Sequence, residues 1–124
     1  MVNFQAWSGS EMTLDLQQTQ VFRLRIELDR TEPLVWRRIE LSTSATFWDL
    51  HVAIQDAFGW LDCHLHEFLV GEGAGRIAIG IPHEFQEKLL VSSWLVPISK
   101  YLNHVQTLTY VYDLDDDWRH TLHL

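Results

Sequence analysis

The sequence is poor in cysteine, in basic residues and in long apolar runs, and each shortage argues against a class of protein. Cys63 is the only cysteine, so an intrachain disulfide is impossible, and we expect a reducing cytoplasm and a buried, inert thiol. Nine Lys and Arg residues stand against seventeen Asp and Glu, and the net charge of −8 disfavours nucleic-acid partners. No apolar run is long enough to cross a membrane.

The composition is otherwise that of a folded domain. Hydrophobic residues make up 47% of the 124 residues and aromatic residues 12%, which is enough apolar surface to form a core. Residues 1–20 lack a regular apolar pattern, so we interpret them as a loose N-terminal arm. Residues 21–124 are predicted to form a single domain.

Alternating apolar and polar residues predict that this domain begins with a β-hairpin. In residues 21–28 the apolar side chains alternate with Arg23, Arg25 and Glu27, as in a half-buried strand. Residues 35–41 predict the second strand, and Pro33 separates the two.

A helix is predicted to follow the hairpin. Thr46 and Asp49 fit a capping box at its start, and Gly59 suits the left-handed position after its end. Between them, apolar residues recur at helical spacing and form one stripe that would pack on the sheet: Phe47, Leu50, Ile54, Ala57 and Phe58.

The remaining chain predicts four further strands and one short helix. The predicted strands are 64–70, 76–81, 107–113 and 118–124, and the predicted helix is 97–103. Residues 82–95 have no clear pattern. We therefore predict an α+β fold: a single domain with a mostly antiparallel sheet, in which an N-terminal β-hairpin is followed by a helix packed on one face.

Two distant runs share an unusual set of residues. Residues 59–68 read GWLDCHLHEF and residues 112–120 read YDLDDDWRH, so each holds Trp, Asp and His within a few positions. Such residues are costly to place near a core, and clusters of them are typical of sites or of polar networks. We expect folding to bring the two runs together.

These runs belong to a longer series of motifs. Residues 33–39 read PLVWRRI and residues 49–51 read DLH, followed by the two runs above. This order resembles the plasmid pRiA4b open-reading-frame-three-like family over about residues 21–124. The resemblance implies a shared fold and an association with mobile elements, but no reaction. The chain departs from the family pattern by placing Leu114 and Asp115 where Phe and Gly are usual, and Asp115 would have to tolerate the left-handed turn.

Three histidines suggest a metal site. On a strand, His64 and His66 would share one face, and His120 lies on an apolar face of the last predicted strand. If those strands are neighbours, three imidazoles could bind a divalent metal such as zinc or iron. The alternative is structural: the histidines would hydrogen-bond Asp62, Asp116 or backbone carbonyls and hold the loops in place.

Other residues of the motifs are predicted to bind a ligand or to organise the site. They are Trp36, Arg37, Trp60, Asp113, Asp116, Asp117 and Trp118. Arg37 has the parity of inward residues, so we expect it to form an ion pair with the acidic turn. Arg23, Arg25 and Arg38 are either solvated charges or a basic face for an acidic ligand.

The function these patterns favour is that of a small binding or interaction module. Two alternatives remain open: a metal-dependent enzyme that uses the His-rich site, and a DNA-associated accessory protein of a mobile element. Unpaired strands at the ends of the sheet could also support a homodimer. The ligand or partner is not identified by the sequence.

Overall fold

The computed structural model describes residues 20–83 and 89–124, which form seven strands and two α-helices in a single sheet-and-helix domain. The strands are β1 (Val21–Leu28), β2 (Val35–Ser42), β3 (His66–Val70), β4 (Ile77–Gly80), β5 (Leu90–Ser92), β6 (Thr107–Tyr112) and β7 (Trp118–His123). The helices are α1 (Phe47–Phe58) and α2 (Ser99–Leu102). The predicted α+β class is confirmed.

The seven described strands form one sheet in the order β2-β1-β7-β6-β3-β4-β5. Neighbouring strands are antiparallel except for β4 and β5, which are parallel. Strand β5 was not predicted, because its three residues are too few to show an alternating pattern. The strands at the two ends of the sheet are β2 and β5, and a homodimer formed through them stays a prediction.

The β1–β2 hairpin follows its sequence pattern closely. Its strands pair from Val21 opposite Ser42 to Leu28 opposite Val35. Leu24, Ile26 and Leu28 are buried, as the alternation predicts, while the intervening charged residues lie on the opposite face.

Helix α1 is bounded by the signals identified in the sequence. The Oγ1 of Thr46 accepts a hydrogen bond from the Asp49 backbone N at 3.2 Å, and Oδ2 of Asp49 accepts from the Thr46 N at 2.9 Å. Gly59 ends the helix with a φ of 73°, a conformation that glycine adopts without strain. The predicted capping box and helix end are both confirmed.

Helix α1 covers one face of the sheet, which we call the inner face. The core there combines helix and strand residues: Phe47, Leu50 and Ile54 from α1 with Leu24, Ile39, Phe68, Tyr110 and Leu122 from the sheet. The opposite, outer face differs along its length. It is charged over β1, β2 and β7, whereas Leu69, Ala78, Leu90 and Val111 form a second buried apolar cluster over the other strands.

Two predictions concern the N-terminal arm and membrane-spanning segments. Apart from Gln20, whose carbonyl accepts a hydrogen bond from the Thr43 N at 3.0 Å, the predicted arm lies outside the described residues. In the part of the chain that is described, no helix combines the length and the apolar character needed to cross a bilayer.

Candidate functional site

The two runs rich in Trp, Asp and His lie against each other, as the sequence predicts. The backbone N of Asp113 donates to the carbonyl of Leu65 at 2.8 Å. Farther along, Nε1 of Trp60 donates to Nε2 of His120 at 3.2 Å. The contact follows from the sheet order, because β3 pairs with β6 and β6 with β7, so both runs meet around β6.

His120 is buried in the core and uses both of its ring nitrogens. Its Nδ1 lies 3.2 Å from the carbonyl oxygen of Tyr110, and its Nε2 faces the indole N–H of Trp60. A neutral imidazole protonated at Nδ1 satisfies both bonds. Burial lowers the pKa of His120 to about 4, so it is neutral at pH 7. This matches the structural alternative better than a metal ligand.

His66 opens strand β3 and is 1% exposed. Its ring stacks on that of His51, with centroids 3.7 Å apart and planes 11° from parallel. Neither ring nitrogen of His66 has a hydrogen-bond partner among the described residues. Burial, with a smaller contribution from His51, lowers the pKa of His66 to about 3. His66 is therefore a neutral core histidine.

His64 lies outside strand β3, which begins two residues later than predicted. Its side chain is 55% exposed, and its Nε2 is 3.6 Å from Oδ2 of Asp113. The chain bends before the strand, where Asp62 has a φ of 54°. The prediction that His64 and His66 share one strand face is wrong, because the alternation of a strand does not apply to a residue in the preceding loop.

The structure does not assemble the predicted metal set of His64, His66 and His120. Tyr110 separates the two buried imidazoles: its ring centroid is 6.0 Å from that of His66 and 5.1 Å from that of His120. Across residues 20–83 and 89–124, no group of three or more His, Cys, Asp or Glu side chains is placed to hold a metal ion. The donor geometry thus does not fit a divalent metal at these residues.

Instead, a partly buried hydrogen-bond ring joins α1, β6 and the loop after α1. His51 links two groups: its Nε2 lies 2.9 Å from Oδ1 of Asp62 and its Nδ1 lies 2.7 Å from the Tyr110 hydroxyl. Nε2 of Gln55 donates to the same hydroxyl at 2.9 Å, and Oε1 of Gln55 accepts from the Asp62 backbone N at 2.7 Å. We call these four residues the polar ring.

One arrangement of protons satisfies the whole polar ring. A carboxylate only accepts, so Nε2 of His51 donates to Asp62, and the Tyr110 hydroxyl must then donate to Nδ1 of His51. Burial lowers the pKa of His51 against the opposing influence of Asp62, and burial raises the pKa of Tyr110. Both shifts favour a neutral imidazole and a neutral phenol.

Sequence reasoning missed the polar ring. His51 and Gln55 are one helical turn apart, beside the apolar stripe of α1, and both are buried. Two hydrogen-bonding side chains on an inward helix face were the available signal, since such groups need buried partners. The partners themselves lie far away in sequence and could not be identified from it.

A cleft of about 610 Å³ opens where β3 begins and where β4 and β6 end. Polar groups in its wall come from both runs, from the first turn of α1 and from the residues after β4: Trp48, Asp62, Cys63, His64, His83, Asp113 and Asp115. The thiol of Cys63, predicted to be buried, is exposed here because the loop carries it outside the core. Asp62 thus connects the cleft to the polar ring.

The acidic turn is organised by its first residue. Asp113 has a φ of 66°, and its Oδ1 accepts hydrogen bonds from the backbone N atoms of Asp115 and Asp116, each at 3.2 Å. Asp117 also has a positive φ, of 60°, and pairs with Nε of Arg119 at 3.0 Å. The left-handed positions are therefore Asp113 and Asp117, and not Asp115 as expected. Asp116 is exposed.

The predicted ion pair between Arg37 and the acidic turn is wrong. Nε of Arg37 donates to the carbonyl of Ala57 at 2.9 Å, in the last turn of α1, and its guanidinium carbon lies 5.4 Å from the Phe58 ring centroid. Arg37 is on the predicted face of β2, but at this position the C-terminus of α1 lies against that face. The free carbonyl groups there attract a cation.

The tryptophans of the motifs separate into two environments. Trp60 packs on Trp118 of β7, with ring centroids 5.7 Å apart, and helps to seal the core around His120. Trp36 lies on the outer face of β2, away from both runs. Only Trp60 and Trp118 among these three are therefore close to the candidate site.

Comparison with known proteins identifies the family. The family profile described as "Plasmid pRiA4b ORF-3-like protein" matches residues 20–124. The chain belongs to the plasmid pRiA4b ORF-3-like family. The resemblance inferred from the four motifs is confirmed.

Two relatives show what the family membership provides. The uncharacterized protein y4hQ of Sinorhizobium fredii is 29% identical over 104 residues, which cover 82% of this chain and 52% of y4hQ. A crystal structure of MM3350, a protein of unknown function from Methanosarcina mazei Go1, is 31% identical with a TM-score of 0.76, covering 86% of this chain and 60% of MM3350. The chain thus spans about half to three fifths of the relatives that it matches. Kinship assigns it to a family of unknown function and supports its fold, but assigns no reaction.

Proposed function

We propose that this pRiA4b ORF-3-like domain is a cytoplasmic binding module that takes a small organic cation, such as a primary ammonium group, in the cleft beside the polar ring. The observation that carries the proposal is the presence of three acidic residues, Asp62, Asp113 and Asp115, in the wall of one cleft. A volume of about 610 Å³ falls in the range of small-molecule sites. The exposed thiol of Cys63 fits a reducing compartment.

The charges of the wall favour a cation. Carboxylates that line a concave surface focus a negative potential, which raises the local concentration of positive ligands. Trp48 is the aromatic residue in the same wall, and its indole can stabilise an ammonium group by a cation–π interaction. The acidic wall also disfavours DNA as an occupant of this cleft.

The polar ring gives the cleft a fixed element. The backbone N of Asp62 donates to Gln55, and its Oδ1 accepts from His51. Its Oδ2 therefore remains for a ligand. A preorganised carboxylate loses little conformational freedom on binding. The metal-dependent enzyme hypothesis lacks comparable support, because no group of three metal-binding side chains forms among the described residues.

Titration of the ¹⁵N-labelled chain with butylamine tests the proposal. We expect amide resonances of residues 62–65 and 113–115 to shift with butylamine, but not with butan-1-ol or butyrate at the same concentration and ionic strength. Asp115→Asn should weaken binding about tenfold, since a charge-assisted hydrogen bond is lost.

Asp116→Asn provides a matched control. It removes the same charge from the adjacent position of the turn, but Asp116 does not line the cleft. Equal losses for the two variants would mean that net charge, and not the cleft, governs the response. Butan-1-ol shifting the same amides as strongly as butylamine would contradict a cation site.

A further inference from the structure

The outer face of the β1–β2 hairpin places like charges directly opposite each other. Arg25 and Arg38 are cross-strand partners, and Arg23 lies two residues before Arg25 on the same face. Like charges in direct cross-strand register repel and destabilise a hairpin unless a group of opposite charge lies between them. This arrangement is on the side of the sheet away from α1 and from the cleft.

Trp36 holds the two facing guanidinium groups near each other. The guanidinium carbon of Arg25 is 4.1 Å from the Trp36 ring centroid, and that of Arg38 is 5.6 Å from it. Contact with an indole fixes both groups through cation–π interactions while leaving their N–H edges available. Two cations are thereby preorganised around one side chain.

Neighbouring carboxylates compensate these cations only in part. Nε of Arg23 pairs with Oε2 of Glu40 at 2.8 Å, and Nε of Arg25 pairs with Oε2 of Glu27 at 2.9 Å. These bonds leave the terminal Nη donors of both arginines outside the pairs. Arg38 has no carboxylate partner among the described residues, and its contact is with the Trp36 ring.

The three arginines border one groove. It has a volume of about 500 Å³, and its lining includes Arg23, Arg25, Arg38, Glu40 and His123. His123 also reaches Glu27, with its Nε2 3.3 Å from Oε1. Counting side chains alone, three guanidinium groups face the carboxylates of Glu27 and Glu40, so the side chains around the groove keep a local positive charge within a chain of net charge −8.

We propose that this groove binds a small phosphate-bearing anion, such as a phosphate monoester, through the guanidinium groups of Arg25 and Arg38. Guanidinium groups match the oxygens of a phosphate in pairs of parallel hydrogen bonds. A phosphate between the two arginines would convert their repulsion into attraction.

A small anion suits the groove better than a nucleic acid. The flanking Glu27 and Glu40 carboxylates and the acidic chain repel a long polyanion, whose binding depends on many phosphate contacts. Arg119, which is also on the outer face, is already paired with Asp117. The cationic area is therefore confined to one groove and suits one phosphate group.

Inorganic phosphate is the first probe. In an NMR titration of the full chain at low ionic strength, we expect phosphate to shift the Nε–H resonances of Arg25 and Arg38 and the indole N–H of Trp36. Arg38→Gln should weaken this binding about tenfold. Arg30→Gln is the matched control, because it removes the same charge from the turn at the end of the same hairpin. Circular dichroism would establish that both variants are folded.

Three outcomes would overturn the proposal. The first is the same shifts with sodium chloride at matched ionic strength, and the second is indistinguishable phosphate affinity in Arg38→Gln and Arg30→Gln. The third is a short DNA duplex that binds the groove far more tightly than inorganic phosphate, with a steep salt dependence, which would indicate a nucleic-acid surface. Asp115→Asn should leave phosphate binding unchanged, so this test is independent of the cation proposed for the cleft.

Discussion

Similar side chains have opposite environments on the inner and outer faces of the sheet at β1, β2 and β7. On the inner face of β7, His120 is fully buried and neutral, and it accepts the indole N–H of Trp60. One residue earlier, on the outer face, Arg119 is half-exposed and pairs with Asp117. Trp60 contributes a hydrogen-bond donor to the core, whereas Trp36 contributes its ring to the guanidinium groups outside.

This difference shows that burial, more than residue type, sets the role of each motif residue. Inside, the imidazoles are neutral, and removing one that is hydrogen-bonded, such as His120, leaves partners that water cannot reach. Outside, water solvates each charge, so single contacts contribute little. Substitutions on the inner face should therefore lower the free energy of unfolding strongly, and those on the outer face should change it little.

The largest expected effect is that of His120→Ala. It removes a buried ring and leaves the Trp60 N–H without an acceptor, so we expect a loss of about 3 kcal/mol in the free energy of unfolding. His104→Ala, at an exposed histidine, should stay within about 0.5 kcal/mol. Urea unfolding of both variants measures the difference, and equal midpoints would break the contrast between buried and exposed histidines.

Tyr110→Phe should cost less, about 2 kcal/mol, because the fold keeps the ring but the hydroxyl no longer serves His51 and Gln55. Tyr101→Phe is the control: Tyr101 packs on Phe47 at the edge of the core, and no hydrogen bond of its hydroxyl exists among the described residues. Thermal unfolding of both variants compares them. A Tyr110→Phe protein as stable as the control would mean that the polar ring does not stabilise the fold.

Acid should reveal the buried imidazoles. The pKa values of His66 and His120, about 3 and about 4, lie below the ordinary 6.5, so the unfolded chain binds protons more readily than the folded one. The free energy of unfolding that depends on these neutral imidazoles is fully present above pH 6.5. It is lost as pH falls towards 4, by up to about 1.4 kcal/mol per pH unit for each imidazole.

His66→Phe sharpens this pH prediction. The variant replaces a ring that has no hydrogen-bond partner in residues 20–83 and 89–124, so at pH 7 its stability should lie within about 1 kcal/mol of the wild type. Its loss of stability between pH 6.5 and 4 should be shallower, which chemical unfolding at several pH values measures. An unchanged slope would show that His66 is not the group that titrates.

The smallest expected effect is on the outer face. Arg23→Gln breaks an ion pair with Glu40 in which the Arg23 side chain is 76% exposed, so stability should change by less than about 1 kcal/mol. Chemical unfolding in low and high salt would detect it. A loss comparable to that of Tyr110→Phe would contradict the contrast between the two faces.

The elements that the sequence predicted are those with local signals. Strand β1 shows a period of two, and α1 has a capping box, an apolar stripe and a terminal glycine, all of which depend on residues a few positions apart. Strand β5 has three residues and a parallel partner, so no pattern could develop in it. His64 was placed on β3 because periodicity does not show where a strand begins.

The site was harder to predict than the fold, because its contacts join distant residues. Gln55 and Tyr110 are 55 positions apart, and no local pattern relates them. Arg37 was assigned to the right face but to the wrong partner, since the sequence does not show that the end of α1 lies beneath it. Proximity of the two runs could be inferred from shared composition, whereas the direction of each imidazole could not.

The polar ring has one consequence for how the domain opens. Its hydrogen bonds run in a single sense, from the amide of Gln55 through the phenol and the imidazole to the Asp62 carboxylate, which returns to Gln55 through its own backbone. Adding or removing one proton mismatches a donor or an acceptor next to it. The hydrogen bonds that join α1, the loop after it and β6 should therefore break together. We expect local opening of this loop to be rare until the core itself unfolds.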